Sequence, residues 1–150
     1  MKFKIILTLF FLIINISSAL AAKWKNLGNI SIRPSEGIET AYYSKKGLVR
    51  GLFATSVELL FDLKEPNIRS EGTFNSTIIN RKLNCKKRKF KTMKQTFFEK
   101  KMGKGKLIAS TGEGEWQSLD LEKEETWHTV DGRILTVFCD IEMKDIDKWK

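Results

Sequence analysis

Chemistry in this chain would have to use a small set of side chains. His128 is the single histidine, and Cys85 and Cys139 are the two cysteines. A Ser–His–Asp or Cys–His arrangement for nucleophilic catalysis would therefore need His128. The acids at 113–125, Glu115 among them, could instead supply paired carboxylates for glycoside hydrolysis. The ordinary roles of these groups are a surface position at a helix entry for the histidine and a solvated loop for the acids.

The sequence predicts no metal site and no cofactor. A structural zinc ion takes four ligands, and the chain holds three His and Cys residues in total. The segment 102–106 reads Met-Gly-Lys-Gly-Lys, but it lacks the spacing and the Ser or Thr of a phosphate-binding P-loop. We expect a hairpin turn there. We predict a protein that is not an enzyme, and a periplasmic hydrolase or hydrolase inhibitor using His128 or loop carboxylates is the alternative.

A basic segment is the strongest chemical signal in a chain whose formal net charge is +9. Residues 81–106 carry twelve Lys or Arg side chains and one acid, whereas residues 113–125 carry six acids and one lysine. A basic surface attracts polyanions with a strength that falls as salt rises. The other interpretation is a solvated strand surface that keeps the protein soluble. The predicted polyanion patch consists of Lys86, Lys87, Arg88, Lys89, Lys91, Lys94, Lys100 and Lys101.

The first 21 residues predict export. A secretory signal peptide has a charged start, an apolar run and a small-x-small exit. Here these parts are Lys2 and Lys4, the run from Ile5 to Ile16, and Ala19 and Ala21. The run is shorter than the roughly 20 residues of a membrane span. Cleavage after Ala21 would leave residues 22–150 as one domain in the periplasm or outside the cell. Ala22 stands where a lipoprotein has its anchoring cysteine, so we expect neither a lipid anchor nor a transmembrane segment.

Export also bears on the ligand of the basic segment. Phe90, Phe97 and Phe98 alternate with its lysines, an interleaving that nucleic-acid binders use for stacking and charge. In an exported protein these rings are better interpreted as core, with the lysines facing water. We therefore expect an anionic glycan or lipid as the polyanion, and no nucleic acid.

The two cysteines favour a disulfide, because an even number in an exported chain is typical of one. A bond between Cys85 and Cys139 would close a loop of about 55 residues and stabilise the fold by roughly 4 kcal/mol in the chain-entropy model. Two buried free thiols are the alternative.

The hydrophobic pattern predicts an α+β domain, a meander of about six strands closed by one C-terminal helix. Period-two alternation is longest over residues 49–63, and Pro66 and Asn67 are expected to end that strand. From Val130 the apolar spacing becomes that of an amphipathic helix, with Thr129 as its N-cap. The proposed disulfide would staple this helix to the strand ending at Cys85. The charged tail 140–150 has no assignment. The predicted strands are 24–32, 38–43, 49–63, 74–85, 89–98 and 107–109.

Several short motifs occur in a recognisable order. They are Trp24, the strand with Tyr42 and Tyr43, the strand end Phe61-Asp62-Leu63-Lys64-Glu65-Pro66, the basic strand from Cys85 to Phe97, the turn Met102–Lys106, Trp116, and a helix ending at Cys139. In their order and spacing they resemble the surface-adhesin protein E family of exported bacterial domains. The resemblance covers most of residues 22–150.

This resemblance implies an antiparallel sheet packed by a C-terminal helix, a disulfide from sheet to helix, and a tendency to form homodimers. It also implies binding to host extracellular proteins. The leading hypothesis is an exported non-enzymatic binding domain of the bacterial envelope, an adhesin-like ligand of host extracellular proteins or of polyanions. A structural envelope protein that acts by dimerisation is a further alternative.

Overall fold

The computed structural model describes residues 24–27, 37–52, 54–119 and 129–139. The predicted signal peptide at 1–21, His128 and the tail 140–150 lie outside the described residues. The described elements are the strands β1 (Trp24–Asn26), β2 (Ile38–Ser44), β3 (Val49–Arg50), β4 (Thr55–Arg69), β5 (Gly72–Asn84), β6 (Lys89–Lys100), β7 (Lys104–Thr111) and β8 (Gln117–Ser118), a 3-10 turn (Lys101–Gly103) and the helix α1 (Val130–Phe138).

One antiparallel sheet contains all of the described strands. Its order is β1-β2-β4-β5-β6-β7, with β3 paired to β4 and β8 paired to β6. The predicted α+β class, with an antiparallel sheet and one C-terminal helix, is confirmed. The described sheet has eight strands rather than about six, because two short strands lie beside long ones. None of the described helices is long and apolar enough to cross a membrane.

The strand predicted over 49–63 is wrong at both ends. Val49 and Arg50 fold back on β4 as a tight hairpin, closed by a bond from the Gly51 N–H to the Ala54 carbonyl at 3.0 Å. At the other end β4 continues through Pro66 to Arg69. The register with β5 shifts between Asp62 and Asn67. Such an irregularity accommodates a proline, which has no N–H to donate to the ladder.

The main core lies between the sheet and one face of α1. Its members are Ala41, Val57, Leu59, Phe61, Ile79, Leu83 and Phe90 from the sheet, and Val130, Ile134 and Phe138 from the helix. A smaller cluster of Leu63, Phe74 and Phe97 lies further along the sheet. Phe90 and Phe97 are thus core residues, as predicted, whereas Phe98, also predicted to be core, is only partly buried. The core residues of each strand alternate with residues on the other face, so the sheet has one face toward α1 and one away from it.

The helix is held at both ends. The Thr129 hydroxyl accepts a hydrogen bond from the Gly132 N–H at 3.1 Å, which confirms the predicted N-cap. At the other end Cys139, the C-cap residue, forms a disulfide with Cys85. Their Cα atoms are 5.3 Å apart across 54 residues of sequence. The predicted disulfide from sheet to helix is therefore confirmed.

The 3-10 turn closes over the face of the sheet away from α1. Buried Asp62 accepts from the Met102 N–H at 2.7 Å. The Ser76 hydroxyl donates to the Lys100 carbonyl at 2.6 Å and accepts from the Gly103 N–H at 3.0 Å. Gly103 has a φ of +64°, and a Cβ there would lie 2.8 Å from Ile78. The turn predicted over 102–106 is confirmed only for its first two residues, because the 3-10 turn ends at Gly103 and β7 begins at Lys104. The close approach of Gly103 to Ile78 requires a glycine there.

Candidate functional site

The hairpin between β5 and β6 presents the densest group of positive charge. Lys86, Lys87 and Arg88 are all exposed in its turn. The Asn84 side chain accepts from the Lys87 N–H at 3.0 Å, and the Arg88 N–H donates to the Cys85 carbonyl at 3.3 Å. The disulfide of Cys85 ties the same turn to α1. The three cations are therefore carried on a constrained backbone.

Strand register extends this charge onto the face of the sheet away from α1. Lys82 pairs with Lys91, and Asn80 pairs with Lys94. Residues directly opposite in an antiparallel pair project on the same side, and the neighbouring Leu83 is a core residue. Lys82, Lys91 and Lys94 accordingly face away from the helix. We call the following set the basic face: Lys82, Lys86, Lys87, Arg88, Lys89, Lys91 and Lys94.

The segment after β7 lies along the basic face. The Gly114 N–H donates to the Thr92 carbonyl at 2.9 Å, and β8 pairs with Lys89 and Phe90 of β6. Within this segment Glu113 forms an ion pair with Lys91. The hydrogen bond and positive charge of Lys91 lower the pKa of Glu113 below its ordinary value. One acid of the acidic segment thus packs on a lysine of the predicted patch.

The structure does not bring Lys100 and Lys101 together with the other members of the predicted patch. Lys100 is the last residue of β6 and Lys101 follows it. At 3.3 Å per residue, about 36 Å separates Lys100 from Lys89 at the hairpin end of the strand. Lys101 forms an ion pair with Glu39, whose hydrogen bond raises the pKa of the lysine. Six of the eight predicted residues belong to the basic face.

Arg81 carries its charge toward the helix instead. It forms an ion pair with Asp131 in the first turn of α1, and its guanidinium lies 4.6 Å from the centre of the Phe90 ring. The Arg81 side chain is only 11% exposed. It contributes to packing between helix and sheet rather than to the basic face.

A cleft of about 380 Å³ lies beside the basic face. Its lining includes Lys46, Glu58 and Asn80 together with Arg81 and Met93. Asn80 is also the strand partner of Lys94, so the cleft borders that end of the basic face. Its lining carries both charges.

Of the catalytic candidates, Glu113 and Glu115 are described, and neither lines this cleft. Glu113 and Glu115 are exposed residues of the segment between β7 and β8, and Glu113 is paired with Lys91. His128 and the acids from Asp120 onward lie outside the described residues. Within the described ranges, no three His, Cys, Asp or Glu side chains form a group that could hold a metal ion.

Sequence reasoning missed Lys82 and Trp116 as neighbours of the patch. Lys82 is three residues before the turn, and only the register with Lys91 places it on the same face. Trp116 is 42% exposed and directly precedes β8. Such exposure is unusual for so large an apolar side chain. The sequence did not indicate it, because the position of Trp116 beside the lysines depends on the pairing of β8 with β6.

In the described residues these features define an α+β fold with one helix, one disulfide and one basic sheet face. The chain matches the family described as Surface-adhesin protein E over residues 24–140. It belongs to that family, whose description names a surface adhesin rather than an enzyme. Among curated proteins, no relative matches the chain.

Solved structures with a similar fold include protein E of Haemophilus influenzae. Crystal form II of that protein has a TM-score of 0.53 at 13% identity, covering 67% of this chain and 80% of the other. Another structure of it has a TM-score of 0.51 at 12% identity, covering 80% and 89%. Its selenomethionine form has a TM-score of 0.51 at 12% identity, covering 70% and 82%. At these identities the likeness concerns the fold.

Proposed function

We propose that this chain is an exported, non-enzymatic, adhesin-like domain that binds a polyanionic ligand of a host surface through its basic face. Membership in the surface-adhesin family supports the adhesin role. The predicted signal peptide supports export to the periplasm, the cell surface or the medium. The observation that carries the choice of ligand is the hairpin turn with three adjacent exposed cations.

Three properties of this turn favour ligand binding over a merely solvated surface. The charges of Lys86, Lys87 and Arg88 are adjacent, so a polyanion can contact several of them at once. The disulfide and the Asn84 hydrogen bond constrain the backbone, which reduces the entropy lost on binding. Register adds further lysines of the basic face beside the turn.

The experiment compares two variants of equal charge change on immobilised heparin, a sulfated glycan. The hairpin variant is Lys86→Ser, Lys87→Ser, Arg88→Asn; asparagine tolerates the positive φ of Arg88. The control variant is Lys100→Ser, Lys104→Ser, Lys106→Ser. These three lysines are exposed and lie around the far end of β6. The salt concentration needed for elution is measured for each.

We expect the hairpin variant to elute at much lower salt than the wild type and the control variant to elute near the wild type. Because the hairpin variant makes fewer ionic contacts, the logarithm of its affinity should also fall less steeply with the logarithm of the salt concentration. Equal losses in both variants would mean that net charge alone governs retention. That result, or retention of the hairpin variant at wild-type salt, would contradict the proposal.

Cell fractionation tests the adhesin part separately. The proposal requires the mature protein at the cell surface or in the medium, where it can meet a host ligand. Recovery in the periplasm alone would contradict the adhesin role, even if the basic face binds heparin in vitro.

A further inference from the structure

We propose that Trp116 is a stacking platform for a sugar ring, so that the ligand of the basic face is an anionic saccharide. This inference rests on the proposed function and specifies the class of its ligand. The indole would contact the apolar C–H face of one ring while neighbouring lysines bind the anionic substituents of the chain. Neither the family description nor the likeness in fold assigns a role to this residue.

The backbone around Trp116 places it beside the lysines. Gln117, the next residue, pairs with Phe90, and Gly114 bonds to the carbonyl of Thr92. Trp116 therefore lies along β6 at the level of Lys91. Phe90 is a core residue, so its partner Gln117 shares the helix side of the sheet. Because side chains alternate along an extended segment, Trp116 belongs to the opposite side, which carries the basic face.

Exposure and chemistry then point to a binding role. An indole is large, rigid and apolar with one N–H donor, and 42% of Trp116 is exposed to solvent. The bond from the Gly114 N–H to the Thr92 carbonyl and the pairing of β8 with β6 anchor the segment on both sides of Trp116. The site thus combines an aromatic surface with cations a few residues away. Saccharides with sulfate or carboxylate groups have both an apolar ring face and negative charges.

The surroundings favour a saccharide over a lipid membrane. An indole that inserts into a membrane needs further apolar side chains around it, whereas Trp116 lies next to charged strand residues. The exposed apolar residues Ile68 and Leu107 lie toward the other end of the sheet, since their partners are Thr73 and Phe98. Val49 is exposed at the level of Trp116, but β4, β5 and β6 lie between them, because its partner Ser56 is followed across the sheet by Lys82 and Lys91. They do not form one surface with Trp116.

The test uses two polyanions, one with rings and one without. A heparin-derived hexasaccharide offers sugar rings and sulfates, and inorganic polyphosphate offers charge alone. The full mature chain is compared with Trp116→Ala and with Trp116→Phe, which keeps an aromatic ring. Binding is measured by calorimetry at one salt concentration, and circular dichroism checks that each variant is folded.

We expect Trp116→Ala to bind the hexasaccharide about tenfold more weakly, a change of about 1.4 kcal/mol, while its affinity for polyphosphate stays within about twofold. Trp116→Phe should keep most of the hexasaccharide affinity. An equal loss for both polyanions, or no loss for either, would overturn the stacking role.

Two further outcomes are distinguishable. If Trp116→Ala weakens binding to phosphatidylserine vesicles more than binding to the hexasaccharide, the residue serves a membrane contact and the inference is overturned. If the wild type binds neither polyanion, the proposed function itself fails, and the inference about Trp116 falls with it.

Discussion

Arg88 occupies a backbone conformation that most side chains avoid. Its φ is 52°, in the left-handed region that costs an ordinary residue about 1–2 kcal/mol. The side chain is exposed, so packing does not explain an arginine in this conformation. This strained position carries one of the exposed charges of the basic face.

We predict that Arg88→Gly raises the free energy of unfolding by about 0.5–1 kcal/mol, because glycine adopts a positive φ without strain but has a more flexible unfolded chain. The same change should weaken heparin binding. Denaturant unfolding measures the first effect. Lys87→Gly is the matched control, since Lys87 has no positive φ among those described, and it should lower stability. A less stable Arg88→Gly variant would contradict the account of strain.

Asp62 is a buried carboxyl that holds the 3-10 turn. Burial raises its pKa above the ordinary value of an aspartate, although the hydrogen bond from the Met102 N–H and the charge of Lys101 act in the opposite direction. A raised pKa means that the folded state binds the proton more tightly than the unfolded state. The contribution of Asp62 to stability is therefore present below the unfolded pKa and is lost as pH rises through the folded pKa.

Asp62→Asn should remove this loss, because the amide oxygen keeps the acceptor for Met102 and carries no charge. We expect the unfolding free energy of the variant, relative to the wild type, to be higher at about pH 7 than at about pH 3. Denaturant titrations at both pH values give the comparison. Asp62→Ala, which removes the acceptor, should destabilise the protein by about 1–3 kcal/mol. A relative stability of Asp62→Asn that is higher at low pH would reverse the assigned sign.

At the scale of elements, α1 depends on the sheet that it covers. It is nine residues long, and isolated helices of such length are marginal in water. Its apolar face is buried against β2, β4, β5 and β6. The disulfide joins its C-cap residue Cys139 to Cys85, which directly follows β5. The disulfide thus links the helix covalently to the basic hairpin at this end of the sheet.

We predict that the double variant Cys85→Ala, Cys139→Ala loses about 4 kcal/mol of unfolding free energy, as expected for a cross-link spanning this loop. Loss of the bond should also loosen the β5–β6 turn and weaken heparin binding. Denaturant unfolding of the variant and of the reduced wild type should agree. A loss below about 1 kcal/mol would show that the unfolded chain is not restricted by the bond as assumed.

The predictable elements were those with a strong local pattern. The helix follows from apolar spacing after Thr129, and β4 follows from alternation around Val57 to Leu63. The hairpin between β3 and β4 was not predicted, because the apolar residues of both strands continue a single period-two pattern along the sequence. The chain reversal is seen only in the bond from the Gly51 N–H to the Ala54 carbonyl. The course of β4 through Pro66 depends on its pairing with β5, which no local pattern encodes.

At the scale of the whole molecule, strand register decides which basic side chains lie beside one another. The sequence predicts one patch that contains the hairpin cations together with Lys100 and Lys101, whereas the structure places the last two at the other end of β6. A strand separates successive residues by about 3.3 Å, so Lys89 and Lys100 lie about 36 Å apart at opposite ends of β6. The addition of Lys82 and Trp116 required the pairings of β5 and β8.

The most direct test of the account is to locate the ligand on the protein. A heparin hexasaccharide is titrated into isotopically labelled mature protein, and backbone amide shifts are followed by NMR. We predict the largest shifts at residues 82–94 and 114–118, with little change at 100–106. Shifts concentrated at 100–106, or small shifts spread evenly over the sheet, would contradict the claim that the basic face is the binding site.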